Sequence, residues 1–269
     1  DERDSTILRA APVDEGWLRA TFPTRFVADT QLAWNADSRA VEASAIERFD
    51  AIVLARQSRA VPRDADTARR LREGIAALGI AVLPWSEGLR QWQARVSSLR
   101  GWAPELGLPD VSDEALAATL EQWLEPHLVG STRLSQVDAE LLGRALRESL
   151  DHRQRTALEQ LAPTELRVPS GNARRLEYRP GAPPVLAVKL QELFGLADTP
   201  RVANGRVPVT LELLSPGQRP IQTTQDLRGF WERTYPEVKK ELKGRYPRHP
   251  WPDDPWTAVP TVRAKPRGK

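Results

Sequence analysis

Residues 239–251, KKELKGRYPRHPW, concentrate the side chains best suited to chemistry with a polyanion. Lys239, Lys240, Lys243, Arg245 and Arg248 supply cations for phosphates. Tyr246 and Trp251 supply flat rings for unpaired bases. The lysines are expected on the exposed side of a helix whose apolar face carries Val238 and Leu242. An alternative stands beside this reading: Tyr246 and Trp251 pack a proline-rich tail onto the domain, and the lysines are merely solvated. Burial of the two rings separates the alternatives. Asp253 and Asp254 repel phosphate locally, so a uniform cationic groove is not expected beyond Trp251. A second basic cluster, Arg174, Arg175 and Arg179, flanks a Ser170-Gly171 turn and is expected either to line the mouth of a barrel or to be plain surface charge. Arg263, Lys265, Arg267 and Lys269 make a basic tail that attracts phosphate without specificity.

Signatures of catalysis are missing. The chain has no GxxxxGK[ST] loop, no GxGxxG, no GxSxG and no HExxH. Its three histidines are His127, His152 and His249. The first two read as surface groups. A metal site from His249, Asp253 and Asp254 is disfavoured because Pro250, Pro252 and Pro255 alternate with them and oppose convergence. Asp113-Glu114 is explained by helix capping. No catalytic residue, metal ligand or cofactor site is therefore assigned within this chain.

Composition agrees with a folded, water-facing chain. Of 269 residues, 40% are hydrophobic and 28% charged, which excludes a disordered or fibrous protein. The longest apolar run, near residues 75–85, is broken by Gly79 and Pro84, well short of the ~20 residues a spanning helix needs. No membrane partner is expected, and the setting is read as cytoplasmic. The opening Asp1-Glu2-Arg3-Asp4 lacks the pattern of a secretory leader. Without cysteine there are no disulfides or thiol-metal sites. Without methionine the chain is expected to be a piece of a longer polypeptide or to have had its first residue processed away. Residues 1–160 sum to −5 and residues 161–269 to +8, together the net +3, and all six lysines lie in the second part. Such polarity points to an anionic partner for the C-terminal part.

Three blocks must position these groups. Residues 1–62 form a small β-rich module: a short helix over residues 14–21, then strands over 25–35, 39–49 and 50–61, parted by Asn35-Ala36-Asp37-Ser38 and a tight junction near Asp50. Residues 63–162 turn helical. Their stripes run through Leu71, Ile75 and Leu78, through Leu89, Trp92, Val96 and Leu99, and through Leu116, Leu120, Trp123 and Leu124. Ser112 is a candidate N-cap, and Ser135 is expected to open a further helix through Leu141, Leu142, Leu146 and Leu150. Residues 163–269 return to strands, with a hairpin around Ser215-Pro216-Gly217-Gln218, and residues 190–194 are read as helical. Two helices follow, one capped by Thr223 or Thr224, the other opened by a capping box at Thr234-Tyr235-Pro236-Glu237. Six prolines within residues 247–266 keep the tail extended. The fold class is α+β, with a β-meander, a helical middle and a barrel-like or OB-like C-terminal domain closed by two helices.

Several stretches are similar in wording to a known family. VLAVKLQELFGL (185–196), TLELLSPGQRPIQTTQDLRGFW (210–231) and YPEVKKELKGRYPRHPWPDDP (235–255) resemble the C-terminal region of the HrpB family of bacterial DEAH-box ATP-dependent RNA helicases. ILRAAPVDE (7–15) and GIAVLPWSEGLRQWQARV (79–96) resemble its linker region more loosely. The resemblance implies a larger protein with two RecA-like motor lobes, where ATP and Mg²⁺ act, followed by a winged helix, a helical bundle and accessory C-terminal domains. The Walker lysine and the DEAH carboxylates belong to lobes absent from this sequence. Single-stranded RNA and the motor lobes of the same parent chain are the partners it implies, with an oligonucleotide-binding barrel at the RNA entrance by analogy of fold. The rival reading of the residues is a protein-interaction module, in which the Pro-rich tail with Trp251 and Trp256 and a helical surface dock a partner protein or the motor lobes.

Overall fold

Alternation between positions 26 and 59 builds a three-stranded antiparallel meander in the computed structural model, which describes residues 11–261. The chain divides into two compact units, one formed by residues up to 83 and 120–141, the other by 84–119 and from 142 on.

In the first unit, α1 (Glu15–Thr21) is capped by Asp14, whose carboxylate accepts from the Trp17 amide at 2.8 Å. Strands β1 (Phe26–Asn35), β2 (Ala40–Phe49) and β3 (Ile52–Arg59) follow in sheet order. Asn35 makes the first turn, its side-chain oxygen accepting from the amides of Asp37 and Ser38, and Asp50 makes the second with a positive φ of 49°. Helix α2 (Ala65–Leu78), capped by Asp64, buries Ala68, Leu71 and Ile75. Gly74 lies on that face because the Trp34 indole of β1 occupies the space a Cβ would need. The short helix α5 (Leu120–Trp123) and the turn Glu125–Leu128 pack beside α2, where Arg72 meets Glu125 at 2.9 Å.

In the second unit, α3 (Glu87–Trp102), α4 (Asp113–Ala118), the Leu142–Glu148 part of α6 (Ala139–Glu148) and α7 (His152–Leu161) supply the helices. The helices of residues 63–162 are thus shared between both units instead of forming one block. Ser112 does cap α4, accepting from Ala115 at 3.2 Å. Ser135 opens no long helix: Leu134–Gln136 is a single 3₁₀ turn, and Asp138 accepts from the Leu141 amide at the true start. Buried Arg95 donates to the Ala162 carbonyl at 2.8 Å and meets Glu159 at 3.1 Å, which satisfies the C-terminus of α7.

The β-rich part of this unit is an open five-stranded sheet in the order β10-β9-β6-β5-β4. The strands are β4 (Glu165–Arg167), β5 (Ala173–Glu177), β6 (Val185–Lys189), β9 (Thr210–Leu214) and β10 (Pro220–Thr224). A two-stranded pair, β7 (Arg201–Val202) and β8 (Val207–Pro208), stands apart. β6 and β9 run parallel, and the other pairs are antiparallel. The expected barrel does not form among the described residues. Closure needs strands long enough to tilt and stagger, whereas one edge strand has three residues and the other begins at a proline and shifts register after it. The sheet buries Leu176, Leu186, Val188, Leu211 and Leu213. The helix expected over residues 190–194 reduces to one 3₁₀ turn, Leu190–Glu192, with Leu193 and Phe194 fully buried beside it.

Candidate nucleic-acid interface

The lysines sit on a helical segment with one irregular turn. Asp226, not Thr223 or Thr224, caps α8 (Leu227–Gly229), its carboxylate accepting from the Gly229 amide at 2.8 Å. No break follows at Thr234. A π turn, Phe230–Thr234, runs directly into α9 (Tyr235–Arg245), and the Tyr235 amide donates to the Phe230 carbonyl five residues back. Pro236 explains the widening, because it has no N–H to give and its ring would collide with the carbonyl four residues earlier in a regular turn.

The buried face of this helix carries Phe230, Trp231, Tyr235 and Leu242. Trp231 and Tyr235 pack edge to face at 5.3 Å, and Phe194 joins both at 6.0 and 6.2 Å. The tail returns antiparallel along the helix. Trp251 Nε1 donates to the Tyr246 carbonyl at 3.0 Å, Tyr235 Oη donates to the Pro252 carbonyl at 2.9 Å, and the Arg228 guanidinium lies 5.6 Å from the Trp256 ring centroid. Between helix and tail runs a groove of roughly 580 Å³. Trp231 and Tyr235 line it from the buried side, Lys239, Lys240 and Lys243 from the helix, Asp253, Pro255 and Trp256 from the tail, and Glu232 at one end.

The predicted residues divide sharply here. Lys240, Lys243, Arg245 and Arg248 are exposed, and among the described residues no carboxylate lies within ion-pair distance of them. Lys240 and Lys243 face the groove, while Arg245 lines a separate small depression with Arg219 and Glu241. Lys239 is less accessible than expected: its side chain is 16% exposed and its ammonium is clasped by Asp253. That ammonium, with Lys243 nearby, holds the Asp253 carboxyl below the usual carboxylate range. Tyr246 is half-buried, its hydroxyl filling the space beside Gly217; with the buried Trp251 it packs the tail onto the domain, the alternative that burial of the two rings favours, so neither ring is available for stacking.

Trp251 must be corrected, since it is 8% exposed with its N–H already given to a carbonyl, and it offers no free face for stacking. His249 is pulled down from its ordinary value by burial and by the charges of Lys189 and Arg248, which disfavour its cationic form.

The second basic cluster is paired with carboxylates, two of them distant in the sequence and one only two residues away. Arg174 grips the buried carboxylate of Glu192 with two nitrogens, at 2.7 and 3.0 Å; Arg175 meets Glu87 at 3.1 Å and Arg179 meets Glu177 at 2.8 Å. These three arginines therefore make no free cationic patch. Asp254 is spent on the Trp256 amide and the Thr257 hydroxyl, Asp253 on Lys239, so neither converges with His249 on a metal. The basic residues from 263 on lie outside the described residues. Residue type places Trp256 with Trp251 in a protein-docking tail, whereas the structure sets Trp256 in the groove wall; Arg228 carried no signal in the sequence.

Residues 123–255, which include the lysine helix and Asp253, match the family model described as ATP-dependent helicase C-terminal, HrpB_C. This chain carries an HrpB-type helicase C-terminal domain. It is 38% identical over 262 residues to the ATP-dependent RNA helicase HrpB of Escherichia coli (strain K12), covering 97% of this chain and 32% of that protein. Its fold is similar to the crystal structure of the E. coli DExH-box NTPase HrpB, with a TM-score of 0.74 and 38% identity over 94% of this chain and 31% of that one. A second crystal structure, of the E. coli DEAH/RHA helicase HrpB, gives 0.65 and 36% over 84% and 29%. The chain thus spans about a third of the length of its HrpB relatives.

Proposed function

We propose that this HrpB-type region serves an ATP-dependent RNA helicase as an accessory element that grips and orients single-stranded nucleic acid. Lys240 and Lys243 hold phosphates in the groove, Arg245 and Arg248 extend the binding surface, and Lys239 joins when Asp253 yields. One observation carries this reading: two unpaired ammonium groups face a groove on a helix made rigid by three packed aromatic rings. No residue here is given a role in ATP chemistry; ATP and Mg²⁺ are proposed to act in motor lobes of the longer protein. No described helix is long and apolar enough to cross a membrane, and a cytoplasmic setting is part of the proposal.

The test is fluorescence anisotropy with labelled single-stranded RNA at two salt concentrations. K240E/K243E is expected to weaken binding and to flatten the salt dependence by about 0.7 log units of affinity per log unit of salt for each phosphate that is no longer neutralised. Unchanged affinity and slope would remove the groove from the account.

A second reading, docking onto the motor lobes, is favoured by a different observation in the first unit. Val27 and Val53 lie in one cross-strand row on either side of Arg48 and are both exposed, and Val13 just ahead of α1, Trp17 on α1, and Ile52 and Leu54 on β3 are exposed as well. I52D/L54D is expected to break association with a helicase core supplied in trans and to leave RNA binding alone; retained association counts against docking.

A further inference from the structure

We infer that the groove beside α9 is a single-strand subsite in which Trp256 stacks an unpaired base while Lys240 and Lys243 take phosphates farther along the same strand. The inference rests on the phosphate reading above and adds to it a base-reading residue.

Trp256 is held for such a role. Its backbone amide is donated to Asp254 at 2.9 Å, and its ring lies under the Arg228 guanidinium, which is itself tied to Asp198 at 3.1 Å. A ring with its position already set loses little freedom when a base lies against it. Trp231 and Tyr235 also line the groove, but their polar atoms are satisfied internally, Trp231 Nε1 by the Leu196 carbonyl and Tyr235 Oη by that of Pro252. The free polar groups left in the groove are chiefly ammoniums. A ligand that fits has a flat, weakly polar body joined to anions, and a groove of roughly 580 Å³ lies within the range of small-ligand sites.

The charges also give the ligand a direction. Glu232 and Arg228 mark the end near Trp256, whereas Lys240 and Lys243 lie eight and eleven residues beyond Glu232, about 12–16 Å along the helix. Glu232 repels phosphate from the aromatic end, so the base lies there and the phosphates lie toward Lys243. A paired base has no free face to offer, which selects single strands.

The 269-residue chain is titrated with a labelled oligo(U) and with an abasic chain of the same length. The wild-type chain is expected to bind oligo(U) more tightly. W256A is expected to weaken oligo(U) binding about tenfold and to leave abasic binding unchanged, while W256F keeps most of the affinity. Equal binding of both ligands by the wild-type chain overturns the inference whatever any variant does to folding. So does W256A behaving as wild type, or W256F binding no better than W256A. If K240E/K243E still weakens both ligands in those cases, the phosphate reading survives alone; if it weakens neither, both readings fall.

Discussion

Replacing Arg174 with alanine is expected to cost stability, not nucleic-acid affinity. The Glu192 side chain is 1% exposed, and its carboxylate accepts from Arg174 Nε and Nη2, from Ser170 Oγ at 3.1 Å and from Asn172 Nδ2 at 3.1 Å. Removing the guanidinium leaves a buried carboxylate with two neutral donors. Breaking a buried pair from one side costs about 3–5 kcal/mol. Arg174 is itself 36% exposed, so water screens part of the interaction and the lower end, about 3 kcal/mol, applies. At about 2–4 °C per kcal/mol for a chain of this size, the unfolding transition of the second unit should fall by about 6–12 °C. Differential scanning calorimetry measures the shift, and RNA anisotropy on the folded variant measures the binding. R174M/E192Q should recover much of the loss, because the glutamine oxygen still serves Ser170 and Asn172 without a buried charge. A variant with unchanged melting and tenfold weaker RNA binding would refute the reasoning and return Arg174 to the nucleic-acid surface.

Three other perturbations have defined outcomes. Gly74→Ala forces a methyl into the Trp34 indole and should destabilise the first unit by about 1–3 kcal/mol in chemical denaturation; a neutral result would mean that α2 slides freely on β1. Burial, with the Asp253 charge, pushes the Tyr235 phenol up, so the stability it contributes is complete below the ordinary tyrosine value and is lost as pH rises toward the folded value. Between pH 10 and 11 the wild-type chain should therefore lose stability faster than Tyr235→Phe, by at most about 1.4 kcal/mol per pH unit, and equal slopes in denaturant titrations would contradict this. Asp253→Asn frees Lys239 and should tighten RNA binding about threefold at low salt with a steeper salt slope; weaker binding would show that Asp253 positions the lysine instead of competing for it.

Local signals in the sequence were reliable wherever a residue acts on its near neighbours. Asn35 and Asp50 mark the two turns of the meander, Ser112 caps α4, and the apolar stripe through Leu71 and Ile75 becomes the buried face of α2. The lysine face of α9 belongs to the same class, because a 3.6-residue period places positions 239, 240 and 243 together whatever surrounds them. Where a distant partner decides, residue type misled. Ser135 looks like a cap but lies in a 3₁₀ turn, and Thr234 looks like a helix start, although the packing of Phe194, Trp231 and Tyr235 carries the helix straight past it.

Residue order alone makes this a mixed α and β chain whose positive charge collects toward its C-terminal end, since charge and periodicity are properties of the linear order. Which cations remain free follows from how the chain packs. Arg174 meets a carboxylate eighteen positions away and Lys239 one fourteen positions away, whereas Lys240 and Lys243 meet none among the described residues. Packing also decides which tryptophan is sealed: Trp251 surrenders its N–H to a carbonyl, and Trp256 lines the groove. The physical reason is common to both outcomes. Ion pairing and burial depend on distances in space, and short-range sequence patterns carry no information about which groups the returning chain brings together.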